Sequence, residues 1–228
     1  MKKNNDKYKF KKEEYAIVLD YLRLGYVNKS GTKFKNKPIV QSIGTDKFTL
    51  LELIPKDNVD IEIHEKLYIG SGKRDKIKTV RKLDYNNLTA TSRVELEYAI
   101  KEIVEKQEDK YINFFNTAGS LSTRLHKIEL LPGIGKKTMW NIIKARDEKP
   151  FESYKDLQNR VPSLPNPVNM ITNRVIQELD PNTVKKGKKK YYLFTQIPSE
   201  RMREYYREQK RKNRNKNKSK KEFKNNKN

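Results

Sequence analysis

The chain has no cysteine, which excludes disulfides, thiolate zinc sites and Cys-ligated iron–sulfur clusters. Its two histidines, His64 and His126, are far apart and have no neighbours at metal-ligand spacing, so no metal site is expected. No apolar run approaches the ~20 residues needed to cross a bilayer. Met1-Lys2-Lys3-Asn4-Asn5 leads into no apolar signal-peptide core. The expectation is a cytoplasmic protein without membrane contact. Apolar residues are also scarce, at 34% of the chain against 36% charged, so part of it should stay outside any folded core.

What the chain has in excess is positive charge, +23 over 228 residues. From Lys185 to Asn228 there are 18 Lys and Arg against 4 Asp and Glu, which places +14 of that excess in the last fifth. A+T-rich coding also favours Lys and Asn, but drift should supply Glu as well, and here it does not. A field of this sign draws polyanions, and phosphate neutralisation is the dominant source of sequence-independent nucleic-acid affinity. DNA or RNA, with the ribosome as one form of the latter, is the expected partner.

The first third reads as short strands: Tyr15 to Leu22, Pro38 to Ile43, Lys47 to Ile54, Lys66 to Ile69 and Ile77 to Leu83. Gly44-Thr45-Asp46 is a hairpin link, and Pro55 closes the third run. Five strands in this length suggest a small OB-like barrel. Helical patterns begin at Leu88. Ser92-x-x-Glu95 has the form of a capping box ahead of Leu96, Ile100, Ile103 and Val104. Leu121, Leu125 and Ile128 predict a second helix from about Ser120. Lys136 to Arg146 predicts a third, with Met139, Ile142 and Ile143 inward and Trp140 in the core. Ser153-x-x-Asp156 opens a fourth, and Asn166-Pro167 opens a fifth that Asp180-Pro181 stops. Tyr191 to Phe194 is a candidate last strand after the flexible link Lys185 to Lys190. The fold class is therefore α+β: a disordered N-terminus at 1–9, a barrel at 10–88 and a helical domain at 89–181. A linker follows at 182–198, and a disordered basic tail at 199–228.

The most informative stretch is Leu131-Pro132-Gly133-Ile134-Gly135-Lys136-Lys137-Thr138. The glycines permit a tight bend and remove Cβ atoms from its surface. Ile134 pins the bend inward, and the helix that starts behind it presents free N–H groups and a positive dipole end. A phosphate fits there, with Lys136, Lys137 and Thr138 adding charge and a hydroxyl. None of these groups reads a base edge, so binding should be largely independent of sequence. The stretch resembles the helix-hairpin-helix motif of DNA-repair and recombination proteins. That resemblance implies a hairpin able to hold a monovalent cation on its carbonyls, and no other cofactor. Val161-Pro162-Ser163-Leu164-Pro165-Asn166-Pro167 looks like the second hairpin of a tandem pair, without the glycines, and should pack rather than bind.

Over nearly its folded length the chain resembles an archaeal family known as "domain of unknown function 655". The stretches that carry this are Glu14 to Leu22, Phe48 to Pro55, Gly72-Lys73-Arg74-Asp75-Lys76-Ile77 and Leu131 to Trp140. The family implies an OB-like domain joined to helix-hairpin-helix repeats and assigns no reaction. The basic tail departs from its usual ending.

Secondary candidates are Lys73, Arg74 and Lys76 in a barrel loop, with Tyr68 and Phe48 as stacking surfaces, since such barrels bind single strands with a face and its loops. Gly70-Ser71-Gly72-Lys73 is no P-loop, because Leu67 and Arg74 stand where Gly and Ser/Thr are required. Glu102, Glu105, Glu108 and Asp109 read as a solvated helix face. No catalytic residue is expected. The enzymatic alternative is a glycosylase with Lys137 as Schiff-base nucleophile and Asp156 assisting.

Overall fold

A computed structural model describes residues 12–25, 37–183 and 190–196. The N-terminal segment 1–9, the basic tail 199–228 and most of the Lys185–Lys190 link lie outside the described residues.

Five strands form one antiparallel sheet in the order β4-β1-β2-β3-β5. They are β1 Tyr15–Leu22, β2 Ile39–Gly44, β3 Leu50–Pro55, β4 Lys66–Tyr68 and β5 Ile77–Lys82. β1 pairs with β2 along its length, and its first three residues also pair with β4. A register shift between Val18 and Asp20 bends it, as bulges do. The order is that of an OB-like barrel left open between β4 and β5. Lys76 bridges the approaches to those two edges, donating from Nζ to the Asp60 carbonyl at 2.8 Å and to Glu65 Oε1 at 2.6 Å.

The unbroken apolar run Ala16-Ile17-Val18-Leu19 follows from burial on both faces of the sheet. Ala16 and Val18 join Val40, Leu51, Leu53, Leu67 and Ile77 inside the curl. Ile17 and Leu19, with Ile43, Phe48 and Leu50, face the helices. Among the described residues these are α1 Ala90–Lys106, α2 Glu108–Thr117, α3 Lys136–Glu148, α4 Tyr154–Arg160 and α5 Pro167–Leu179. The boundary at residue 88 separates strands from helices and leaves one core wholly inside the curl, while a second core runs across it. Leu96, Ile100, Phe115, Ile142 and Ile171 belong to the same cluster as Ile17 and Phe48, and Lys12–Thr195 is one compact unit. None of the described helices is long and apolar enough to cross a membrane.

Three helical expectations are corrected. Thr89, not Ser92, caps α1: its hydroxyl accepts the Ser92 amide at 3.0 Å and donates to Asp20 on β1 at 2.7 Å. Ser92 is buried, and Glu95 reaches His64 instead. The helix placed from Ser120 is a small hairpin, β6 Ser120–Ser122 with β7 Leu125–His126, followed by a 3-10 turn at Ile128–Leu130. The spacing of Leu121, Leu125 and Ile128 was misleading because Leu121 faces solvent. The helix in that part of the chain is α2, which starts one residue after α1 at a break on Gln107. Its Glu108 is not merely solvated, because it accepts the Tyr154 amide.

Tyr191 to Phe194 is not a strand. It is a strap that bends at Leu193–Thr195, in which Phe194 packs edge-on against Tyr111 and Phe114. Buried Glu178 on α5 holds it by accepting the amides of Leu193, Phe194 and Thr195 at 2.7, 3.1 and 2.9 Å.

Candidate nucleic-acid interface

The hairpin ahead of α3 is closed from within. Leu131 and Ile134 are buried, and the Ile134 amide donates to the Leu131 carbonyl at 3.2 Å. The two glycines that the sequence reading treats alike differ. Gly133 sits at φ +82°, closed to other residues without strain, and a Cβ there would also meet Pro165 Cγ at 3.2 Å. Gly135 has φ −95° and ψ 174°, which any residue can adopt. A Cβ on it would meet nothing within 4 Å. The protein itself therefore requires Gly133, whereas bareness at Gly135 only keeps the outer surface low.

Behind Gly135, α3 begins with no side-chain cap. Among the described residues the amides of Lys136, Lys137 and Thr138 have no partner. These are the orphan donors of a first helical turn. By contrast α1, α4 and α5 are capped by Thr89, Ser153 and Asn166. Lys136 and Lys137 are exposed and Thr138 is half-buried beside them. The carbonyls of Pro132, Gly133 and Ile134 likewise meet no donor among the described residues.

The bend is held from behind by a residue that sequence inspection missed. Arg174 on α5 is buried and donates to the Leu130 carbonyl at 3.1 Å, to Glu178 at 2.8 Å and to the Tyr191 carbonyl at 2.6 Å. In sequence it is one more i,i+4 pair. Only the returning strap makes it an internal clamp on the hairpin's root.

The second hairpin repeats the first in its packing. Val161 and Leu164 are buried, and the Leu164 amide donates to the Val161 carbonyl at 2.9 Å. Its helix entrance is different. Pro165 and Pro167 bring no N–H, and the Asn166 side chain takes the Asn169 amide at 3.0 Å.

Other candidates fare unevenly. Trp140, expected in the core, is 63% exposed on α3. Phe48, offered as a stacking surface, is wholly buried. Tyr68 packs edge-on against Tyr15 and its hydroxyl accepts the Gly72 amide at 3.0 Å, so it braces the loop. In that loop Arg74 is tied to the Gly70 carbonyl at 2.8 Å and Lys76 to Asp60 and Glu65, leaving Lys73 exposed. Asp156 accepts the Glu152 amide at 3.1 Å and lies 3.3 Å from Arg160, serving the start of α4. No cluster of three or more metal-ligating side chains occurs among the described residues.

A five-stranded OB-like half-barrel followed by helices that form paired hairpins is the class of protein these elements define. The sequence profile of the family described as "Protein of unknown function (DUF655)" matches residues 12–196, and the chain belongs to that family. It is 49% identical over 193 residues to the uncharacterized protein MJ0038 of Methanocaldococcus jannaschii, spanning 84% of this chain and 83% of that one. It is also similar to a crystal structure from the same family, Af1531 of Archaeoglobus fulgidus. The TM-score is 0.71 and the identity 38%, over 81% of this chain and 100% of the other.

Proposed function

We propose that this protein is a non-enzymatic binder of nucleic acid that grips the sugar-phosphate backbone with the hairpin at Pro132–Thr138, largely without regard to sequence. One observation carries the reading. The helix entrance at Gly135 is bare, uncapped and exposed, and two lysines stand on it. Amides aimed outward at a positive dipole end are suited to a phosphate. The free carbonyls of Pro132, Gly133 and Ile134 are hard, neutral oxygens, the kind of donors a monovalent cation takes. Lys73 offers a further charge on the barrel loop, and the basic tail adds attraction that falls with salt. The tie between Asp156 and Arg160 favours binding over a glycosylase built on Lys137.

Gly135→Val is the direct test. Its backbone angles suit valine and the fold offers no clash, so the melting temperature should hold. A branched side chain at the entrance should push a phosphate off the amides and weaken binding about tenfold or more, the loss of one hydrogen bond to a charged group. A variant that binds a labelled duplex or single strand as tightly as wild type, by fluorescence anisotropy, would remove the hairpin from the interface.

A further inference from the structure

Trp140 is the only tryptophan in the chain, and it points away from the core that its neighbours Met139 and Ile142 enter. Residues four apart on a helix share a face. Lys136, Trp140 and Lys144 are therefore one exposed row, with Lys137 and Asn141 beside it. Helical side chains lean toward the N-terminus, so the indole lies over the turn that carries the free amides of Lys136 and Lys137. The rise from Lys136 to Trp140 is about 6 Å, close to the reach of a nucleotide from its phosphate to its base. The first carboxylate farther along this face, Asp147, stands two turns on and lies 3.8 Å from Arg146. An aromatic ringed by lysines suits a polyanion that carries flat rings. A protein-docking surface would instead be poor in lysine at its centre.

We infer that Trp140 is a base-stacking platform and that the preferred substrate is nucleic acid with an unpaired base next to the gripped phosphate. This inference rests on the hairpin reading and adds a substrate class to it. Amides and ammonium groups at Gly135–Lys137 take the phosphate whether the strand is paired or not. The face of a base is free to stack only in a single strand, an overhang or a bulge, because in a duplex neighbouring pairs cover it. Stacking on an aromatic tolerates any base, which keeps recognition independent of sequence.

Because the chain has one tryptophan, its fluorescence reads this contact directly. The full chain is titrated with oligo-dT, oligo-U and a blunt duplex of equal length. Emission should be quenched by one or both single strands, quenching by one alone giving the preferred strand type, and not by the duplex. Trp140→Ala should lower single-strand affinity roughly five- to hundredfold and leave duplex affinity in place, while Trp140→Phe keeps most of the single-strand affinity. Equal losses on single strand and duplex, or single-strand binding by Trp140→Ala equal to wild type, would overturn the inference. If Gly135→Val weakens both probes while Trp140→Ala weakens neither, the hairpin stands and the platform falls. If wild type binds neither probe, both fall.

Discussion

The two hairpins are built on the same internal plan and end at opposite surfaces. Each buries an apolar pair three residues apart, Leu131 with Ile134 and Val161 with Leu164, and each closes its turn with one main-chain hydrogen bond. The apolar positions therefore determine that a hairpin forms. They do not determine whether it can hold anything. That is decided at the helix entrance, where α3 has three unpartnered amides behind a bare Gly135 while α5 has two prolines and a capping asparagine. A capped entrance is the more stable one, since a good cap contributes about 1 kcal/mol. Leaving α3 uncapped forgoes that stability; α2, which follows α1 directly, also lacks a side-chain cap. The bare Gly135 and the two exposed lysines, more than the missing cap, therefore set this entrance apart.

The largest effect should come from making the first entrance resemble the second. In Lys136→Pro the new proline occupies the first helical position, where its fixed φ is favourable and its missing N–H costs the helix nothing. Gly135 ahead of it is already extended, as a residue before proline must be. The fold should be kept while one donor and one charge are lost together. Affinity for a labelled strand should fall roughly ten- to hundredfold, the loss of about 1.5–3 kcal/mol. Tight binding by a well-folded Lys136→Pro protein would mean that the entrance amides are spectators.

The converse change should cost stability and gain nothing. Asn166→Ala removes the cap on α5 and should lower unfolding free energy by about 1 kcal/mol, measured by urea titration. It frees the Asn169 amide, but Pro165 and Pro167 still supply no donors. Nucleic-acid affinity should not rise. A gain would show that freeing the Asn169 amide suffices, and the contrast between the hairpins would then reduce to charge.

Much of this contrast was readable in the sequence. Pro132-Gly133-Ile134-Gly135 against Pro162-Ser163-Leu164-Pro165 already marks one bend as open and one as closed, and Ser153 and Asn166-Pro167 mark their helices as capped. The strands were legible because the run at Ala16–Leu19 and the link Gly44-Thr45-Asp46 are local signals. What escaped depends on how distant segments meet. Leu121, Leu125 and Ile128 have helical spacing, yet α2 ends ahead of them and the chain turns into a hairpin. Trp140 lies one position past buried Met139, and composition alone cannot say on which side of the helix an aromatic falls. Arg174 and Glu178 look like a surface pair until the strap at Tyr191–Thr195 covers them.

The smallest predicted effect separates the hairpins by pH. His126 lies just ahead of the first, buried, with Nδ1 accepting the Ile128 amide at 3.2 Å at the start of the 3-10 turn. Burial, followed by the Arg146 guanidinium, pushes its pKa below the ordinary value of 6.5, against a weaker pull from Glu129. Above that value both folded and unfolded chains hold a neutral imidazole. As pH falls below 6.5 the unfolded chain takes up the proton first, so stability is lost. Once protonated in the folded chain, Nδ1 can no longer accept from Ile128. The second hairpin's approach is instead held by Arg160, which donates to the carbonyls of Lys149 at 2.7 Å and Pro150 at 3.4 Å. That contact involves no histidine. Acidification from pH 7 toward 5 should therefore speed amide exchange at residues 128–134 before 161–164, after correction for intrinsic rates. In His126→Asn, which keeps an acceptor but cannot titrate, the two hairpins should respond alike. Equal loosening of both in the wild-type chain would place the acid sensitivity elsewhere.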